Sequence, residues 1–289
     1  MTICPTWFPA PVPCQLGQPS FTGRFGVNDD QADRHSEIRR FGIIGAMSRG
    51  ATDREAFTRT IGQYKQKGEK ELLSTGIVID NVLVRELRET GSDLRCGVNL
   101  ICRPDREAVK RIAAIQRRLS EYEPAQYYCP PRDLHLTLVE ICHGRTQEDA
   151  NRIAMAVRSL APRLFERQSP AVLDGPMLAY DSRGAALNFL PCDGRLQHLR
   201  KTIREDLARN RVSIESRYLP ASAHITLLRY IAPLTTPAAK WVEVLNGCDV
   251  SVDTRWVLSP VWLTWGATWY GMHGRISRYG PIVCGPRDF

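Results

Sequence analysis

Two stretches of this chain carry one pattern: Asp133-Leu134-His135-Leu136-Thr137-Leu138-Val139 and, 89 residues later, Ala223-His224-Ile225-Thr226-Leu227-Leu228. Each reads His, apolar, Thr, apolar. In a β-strand successive side chains point to opposite faces, so each His shares a face with its Thr, while Leu136, Leu138, Ile225 and Leu227 share the other. Each stretch therefore presents an imidazole beside a hydroxyl, above a buried apolar row. Coincidence is a poor explanation. With 6 His and 17 Thr among 289 residues, 43% of them apolar, one full match is expected roughly 0.07 times per chain and two matches about twice in a thousand chains.

The surroundings repeat too. A helix start near Pro104 and Asp105 precedes His135 by about 30 residues, and one near Asp193 and Gly194 precedes His224 by the same interval. Thr146 and Thr236 open further helices shortly after each motif. Helix, His-bearing strand, helix, twice over at a fixed period, reads as two related lobes. Lobes that face each other bring two His and two Thr to one cleft.

Residues 1–40 hold Pro5, Pro9, Pro11, Pro13 and Pro19 with no sustained period, and read as a flexible arm. From Asp53 to Leu73, the positions of Phe57, Ile61, Tyr64 and Leu72 suit a helix, with Gly68 a weak point inside it. With the stretch 77–87, ambiguous between strand and helix, this makes residues 41–93 a helical N-terminal extension. Residues 94–289 hold the repeat. There 96–102 is a strand, and Pro104 as first helical residue, with Asp105 and Glu107 in the first turn, opens a helix whose inner face is Val109, Ile112, Ile115 and Leu119. Thr146 and Asp149 make a capping-box-like start, and 171–180 and 185–190 form a hairpin. Asp193 caps a helix with Leu196, Leu199, Ile203 and Leu207 inward and an exposed face rich in Arg and Lys. Residues 256–269 are strand-like and aromatic. The class is α+β.

A net charge of +8 favours anionic partners such as phosphates or RNA. Nine cysteines without a Cys-x-x-Cys pair suggest neither a disulfide framework nor a zinc site, and fit reduced thiols in a cytoplasmic or nuclear protein. Prolines break the N-terminus where a signal peptide needs an apolar run, and neither terminus signals a lipid anchor, so no membrane association is expected. No Walker loop, Gly-x-Gly-x-x-Gly loop or metal-ligand spacing occurs, and no metal or cofactor is expected.

Histidine is the side chain best suited to exchanging protons near neutrality, and a pair divides base from acid. A Thr hydroxyl beside each can donate to phosphoryl oxygens during in-line displacement. His135, Thr137, His224 and Thr226 are thus the catalytic candidates. Arg229, five positions after His224, falls on the opposite strand face under regular alternation, and reaches a phosphate only if the strand ends or bulges. Tyr127, Tyr128, Trp265 and Tyr270 are candidates to stack on a base, against core packing as the default for aromatics. Tyr128, Arg229 and Tyr270 are the substrate-binding candidates. His143, His198 and His273 are not expected to take part in catalysis.

Paired His-x-Thr-x motifs are the signature of the 2H phosphoesterase superfamily, which the chain resembles over residues 94–270. His224-Ile225-Thr226-Leu227-Leu228-Arg229 is similar to the His-Ile-Thr-Leu-x-Arg form of its bacterial 2′-5′ RNA ligase and cyclic phosphodiesterase branch, and Leu134-His135-Leu136-Thr137-Leu138 to that branch's first motif. The resemblance implies a bilobal fold of two pseudo-symmetric lobes, each an antiparallel-type sheet with helices, about a central cleft. It implies metal-independent hydrolysis of 2′,3′-cyclic phosphates, on RNA 3′ ends or cyclic nucleotides, or of 2′-5′ linkages. A monomer is expected. The alternatives are a non-catalytic RNA- or nucleotide-binding module and a scaffold recruited to another small molecule.

Overall fold

The computed structural model describes residues 53–216, 222–250, 255–267 and 276–285. The arm at 1–40, Tyr270 and His273 lie outside them. Among the described residues nine strands form one antiparallel sheet. One half holds β1 (Cys96–Cys102), β3 (Leu136–Arg145), β8 (Val261–Ala267) and β9 (Ile276–Ile282). The other holds β4 (Val172–Asp181), β5 (Gly184–Pro191), β6 (Ala223–Arg229) and β7 (Trp256–Val257), with β2 (Tyr127–Tyr128) paired to β6. The strand order is β7-β4-β5-β6-β3-β1-β8-β9, so the two motif strands, β6 and β3, are the innermost pair.

Among the described residues six α-helices accompany the sheet: α1 (Asp53–Thr75), α2 (Asn81–Arg88), α3 (Arg106–Ser120), α4 (Gln147–Glu166), α5 (Arg195–Arg209) and α6 (Ala238–Asn246). The sheet's helix-facing rows include Val98, Leu100 and Cys102 of β1, Leu187 and Phe189 of β5 and Ile225 of β6, all buried. They form one core with Ile112 and Leu119 of α3, Val157 of α4, Ile203 of α5 and Trp241 of α6. Each large apolar side chain so buried contributes roughly 1.5–3 kcal/mol.

The two halves meet at the pair Leu136–Ile225. These residues are themselves 89 apart, so the pair lies on the pseudo-two-fold axis of the repeat. That axis relates His135 to His224 and Thr137 to Thr226.

Several helix starts differ from their expected form. The cap of α3 is Asp105, whose carboxylate accepts the Ala108 N–H at 2.8 Å, so Pro104 stands before the helix rather than in its first turn. Gly194 occupies the cap of α5, and Asp193 instead accepts the Arg195 N–H at 2.9 Å. The ambiguous 77–87 stretch resolves into α2, capped by Asp80. His143 lies within β3, and His198 is exposed on α5. No helix among the described residues is long and apolar enough to cross a membrane, and the seven described cysteines form no disulfide.

Helix α1 packs on β4 and β5. Arg54 pairs with Asp174 of β4, and the Tyr180 hydroxyl donates to Asn246 of α6 at 2.9 Å. Gly68 is what lets α1 approach: a Cβ there would stand 1.8 Å from the Tyr180 carbonyl oxygen, whereas one at Gly62 would meet nothing within 4 Å. Gly68→Ala is therefore expected to destabilise by about 1–3 kcal/mol through overpacking. Gly62→Ala should stabilise by about 0.5–1 kcal/mol, since both positions are helical. Urea denaturation of the two variants checks the contact, and equal midpoints would refute it.

Candidate active site

His224 and Thr226 lie on β6, Thr137 lies on β3, and His135 immediately precedes β3. All four side chains are half-buried, while Leu134, Leu136, Ala223 and Ile225 between them are buried. Alternation then breaks at the same point in both strands. On β6, Thr226 pairs with Ala186 but Leu228 with Ala185. On β3, Thr137 pairs with Ile101 but Val139 with Leu100. Each is a β-bulge directly after the motif Thr, two residues opposing one.

The bulge decides where Arg229 goes. Leu227 and Leu228 are both fully buried, and Arg229, paired with Gly184, returns to the face of His224 and Thr226. Gly184 lets the strands approach here, since a Cβ would stand 2.3 Å from the Leu228 carbonyl oxygen and 3.3 Å from Arg229 Cδ. The expectation of an opposite face under regular alternation is thus corrected by the extra residue. The equivalent position in the first half is Glu140, paired with Asn99.

Each imidazole is held from two residues upstream. His135 Nδ1 is 2.6 Å from the Asp133 carbonyl oxygen. A carbonyl only accepts, so Nδ1 carries a proton and Nε2 is the nitrogen left to exchange one. His224 Nδ1 is 2.9 Å from Ser222 Oγ, which can accept or donate. Asp133 and Ser222 are again 89 apart. In the register set by Leu136–Ile225, His135 stands across from Thr226 and Thr137 from His224.

Burial holds both imidazoles below the ordinary value of 6.5. For His135 the Asp133 carbonyl and carboxylate oppose that shift, while Arg103 adds to it. Around His224 every charged neighbour acts the same way: Arg229, Arg200 and His135 join burial and push it down to about 4. No charged neighbour opposes the shift at His224, whereas Asp133 opposes it at His135.

Two further residues were hidden from the sequence reading. Arg200 of α5, on the helix whose exposed face is Arg- and Lys-rich, is fully buried. It donates to the carbonyls of Leu138 at 3.0 Å, Thr137 at 3.3 Å and Ser222 at 2.9 Å. Gln116 of α3, also buried, donates to the carbonyls of Leu227 at 2.9 Å and Cys129 at 2.8 Å. Leu138 and Leu227 are equivalent bulge residues. Each half's helix thus braces the other half's motif strand.

The aromatic candidates separate by strand phase. Tyr128 pairs with Leu228 on the helix side and its hydroxyl donates to the Glu123 carbonyl at 3.0 Å, with burial raising its phenol pKa. It does not line the cleft. Tyr127 pairs with Arg229 and shares its face. Trp265 is turned away, its indole N–H donating to Asn151 of α4 at 3.0 Å. Its neighbour Trp262 pairs with Ile101 on the Thr137 face. One residue beyond the last β1–β3 pair, Cys102–Leu136, the register sets Arg103 opposite His135, and Arg278 of β9 approaches Arg103. Among the described residues no three His, Cys, Asp or Glu side chains cluster as metal ligands.

A sheet of two pseudo-symmetric halves brings one His-x-Thr strand from each to a shared seam. No protein-family model and no curated protein matches the sequence. Among solved structures the chain is similar to a Thermus thermophilus protein at 20% identity, covering 58% of this chain and 87% of that one with a TM-score of 0.42. It is similar to E. coli LigT in its ATP complex at 18% identity, covering 66% and 99% with a TM-score of 0.42. It is also similar to a protein described as a phosphoesterase at 19% identity, covering 64% and 98% with a TM-score of 0.41. At these values the reading of the site rests on its own geometry.

That geometry predicts the titration of the two rings. In histidine NMR titrations, His224 should titrate near 4 and His135 below 6.5. Asp133→Asn removes a carboxylate that favours the charged ring, so it should lower the His135 midpoint. Arg229→Ala should raise that of His224. A His224 midpoint near 6.5 in the wild type would contradict the arrangement.

Proposed function

We propose that the chain is a metal-independent phosphodiesterase that hydrolyses 2′,3′-cyclic phosphates, at RNA 3′ ends or in small cyclic nucleotides, or 2′-5′ linkages. The observation that carries the reading is the pair of pseudo-symmetric imidazoles with unequal surroundings, each facing a hydroxyl across one seam. In-line displacement at phosphorus needs a base on one side and an acid on the other. Arg229 beside His224 and Arg103 beside His135 suit an anion lying between them.

His224, whose charged neighbours all disfavour its protonated form, takes a proton from water. The water oxygen forms its bond to phosphorus as the bond from phosphorus to the ribose 3′ oxygen breaks. His135 gives its Nε2 proton to the departing oxygen, leaving a 2′-phosphate monoester. Thr137 and Thr226 donate to the non-bridging oxygens, and Arg229 balances their charge. Proton exchange with solvent restores the starting states.

The test offers 2′,3′-cyclic mononucleotides, RNA ending in a cyclic phosphate and 2′-5′ oligoadenylate, with products separated by chromatography. Opening of any one, with a 2′-phosphate from the cyclic substrates, is expected. His135→Ala and His224→Ala should each reduce kcat/KM by about 10²-fold or more, and Thr137→Ala and Thr226→Ala by less. Activity should persist in a chelator, because the proposed base, acid and charge-balancing groups are side chains. The kcat/KM profile should rise with pH through the His224 value near 4 and fall as His135 loses its proton below 6.5. Binding of these ligands without turnover would make the chain a binding module, and neither binding nor turnover would point to an unrelated small molecule.

A further inference from the structure

We propose that Arg200 is a positioning residue that gives the two-histidine site its polarity: one buried guanidinium ties both motif strands together and adds a fixed positive charge at His224, where no acidic group offsets it. The inference rests on the reading of the two imidazoles as base and acid.

The first part is geometric. Arg200 comes from α5 in one half of the repeat and reaches Thr137 and Leu138, in the bulge of the other half's motif strand. The same guanidinium reaches the Ser222 carbonyl, two residues before His224. Beyond Leu136–Ile225 no ladder pairing holds β3 to β6. A planar fork with several N–H groups in fixed directions can hold carbonyls of two strands at one separation, and a single ammonium cannot. The distance between the imidazoles, and hence the span open to a phosphorus between them, is set in part by this fork.

The second part is electrostatic. Ser222 links the guanidinium to His224: its carbonyl accepts from Arg200 and its hydroxyl meets His224 Nδ1. The equivalent brace on the other bulge is Gln116, which has the same kind of donor and no charge. The groups facing His224 are Arg229 from its own strand, Arg200 from α5, His135 from the seam, and the neutral Asn188 paired with it on β5. None is acidic. His135 has Asp133 beside it, whose carbonyl and carboxylate favour the charged ring. The repeat matches the two histidines in shape, and the Arg200–Gln116 difference helps to set them apart in charge.

Two variants separate these roles from mere support of the fold. Arg200→Gln keeps amide donors and removes the charge. Its His224 NMR midpoint should move up from about 4 toward 6.5, and the acid limb of kcat/KM should move with it. Arg200→Lys keeps the charge and loses the fork. Its His224 midpoint should stay low while kcat falls at least about tenfold and KM changes little, the pattern of lost alignment in the transition state. A purely structural role would lower the melting temperature of both variants and leave the His224 midpoint and the acid limb in place. Either an unmoved midpoint in Arg200→Gln or wild-type kcat in Arg200→Lys overturns the proposal. If Arg200→Gln does not fold, the Arg200→Lys kinetics decide it. Failure of the functional reading is distinct: no phosphodiester is opened by wild type, while the His224 midpoint still responds to Arg200→Gln.

Discussion

Two antiparallel strands that touch at one residue pair leave the carbonyls beside that pair without a ladder. At the seam between β3 and β6 these include the oxygens of Thr137, Leu138 and Ser222, and leaving such a group buried and unpaired costs about 1–3 kcal/mol. The same divergence separates the two histidine-bearing strands. A strand pair zipped along its length would satisfy the carbonyls and close the site. The chain keeps the strands apart and serves the carbonyls with side chains, Arg200 on one bulge and Gln116 on the other. Burying a guanidinium is expensive in isolation, and three carbonyl acceptors at 2.9 to 3.3 Å offset that cost.

Pseudo-symmetry supplies the spacing, and departures from it supply the chemistry. An acid and a base opposed across one phosphorus must be alike in position and unlike in proton affinity. The repeat meets the first requirement by relating His135 to His224 and Thr137 to Thr226 about the Leu136–Ile225 pair. Substitutions at equivalent positions meet the second: Asp133 against Ser222, and Glu140 against Arg229. Each change places negative charge in the first half or positive charge in the second, and of the two rings only His135 has a neighbouring group that opposes the effect of burial.

Much of this was legible in the sequence, and the parts that were not share one cause. The motifs, their period and the helices flanking them follow from local patterns, and each has its counterpart in the fold. What escaped depends on pairing between distant segments. Arg229 reaches the face of His224 only because the strand bulges after Thr226, and two adjacent apolar residues where one polar residue is due, at Leu227 and Leu228 as again at Leu138 and Val139, are the mark that a bulge leaves. Arg200 belongs with the inner face of its helix by spacing, four after Leu196 and three before Ile203, but its charge sets it apart from the apolar residues that define that face. Whether Tyr127 or Tyr128 faces the cleft depends on how β2 registers on β6, which no local pattern contains.

That register also divides β6 into two mechanical parts. At its end, Arg229 lies between Gly184 of β5 and Tyr127 of β2, paired on both sides. The segment that supplies Tyr127 is pinned in turn: the buried Glu123 carboxylate accepts the N–H groups of Thr235 and Thr236, and the Gln126 side chain accepts that of Ile231. At its start, by contrast, β6 pairs with β5 throughout but meets β3 only through Ile225. The strand is thus paired on both sides at the guanidinium and on one side at the imidazole. In the proposed reaction an anion drawn to Arg229 would meet a fixed charge at one end of the strand and the imidazole and hydroxyl at the end where the sheet has parted.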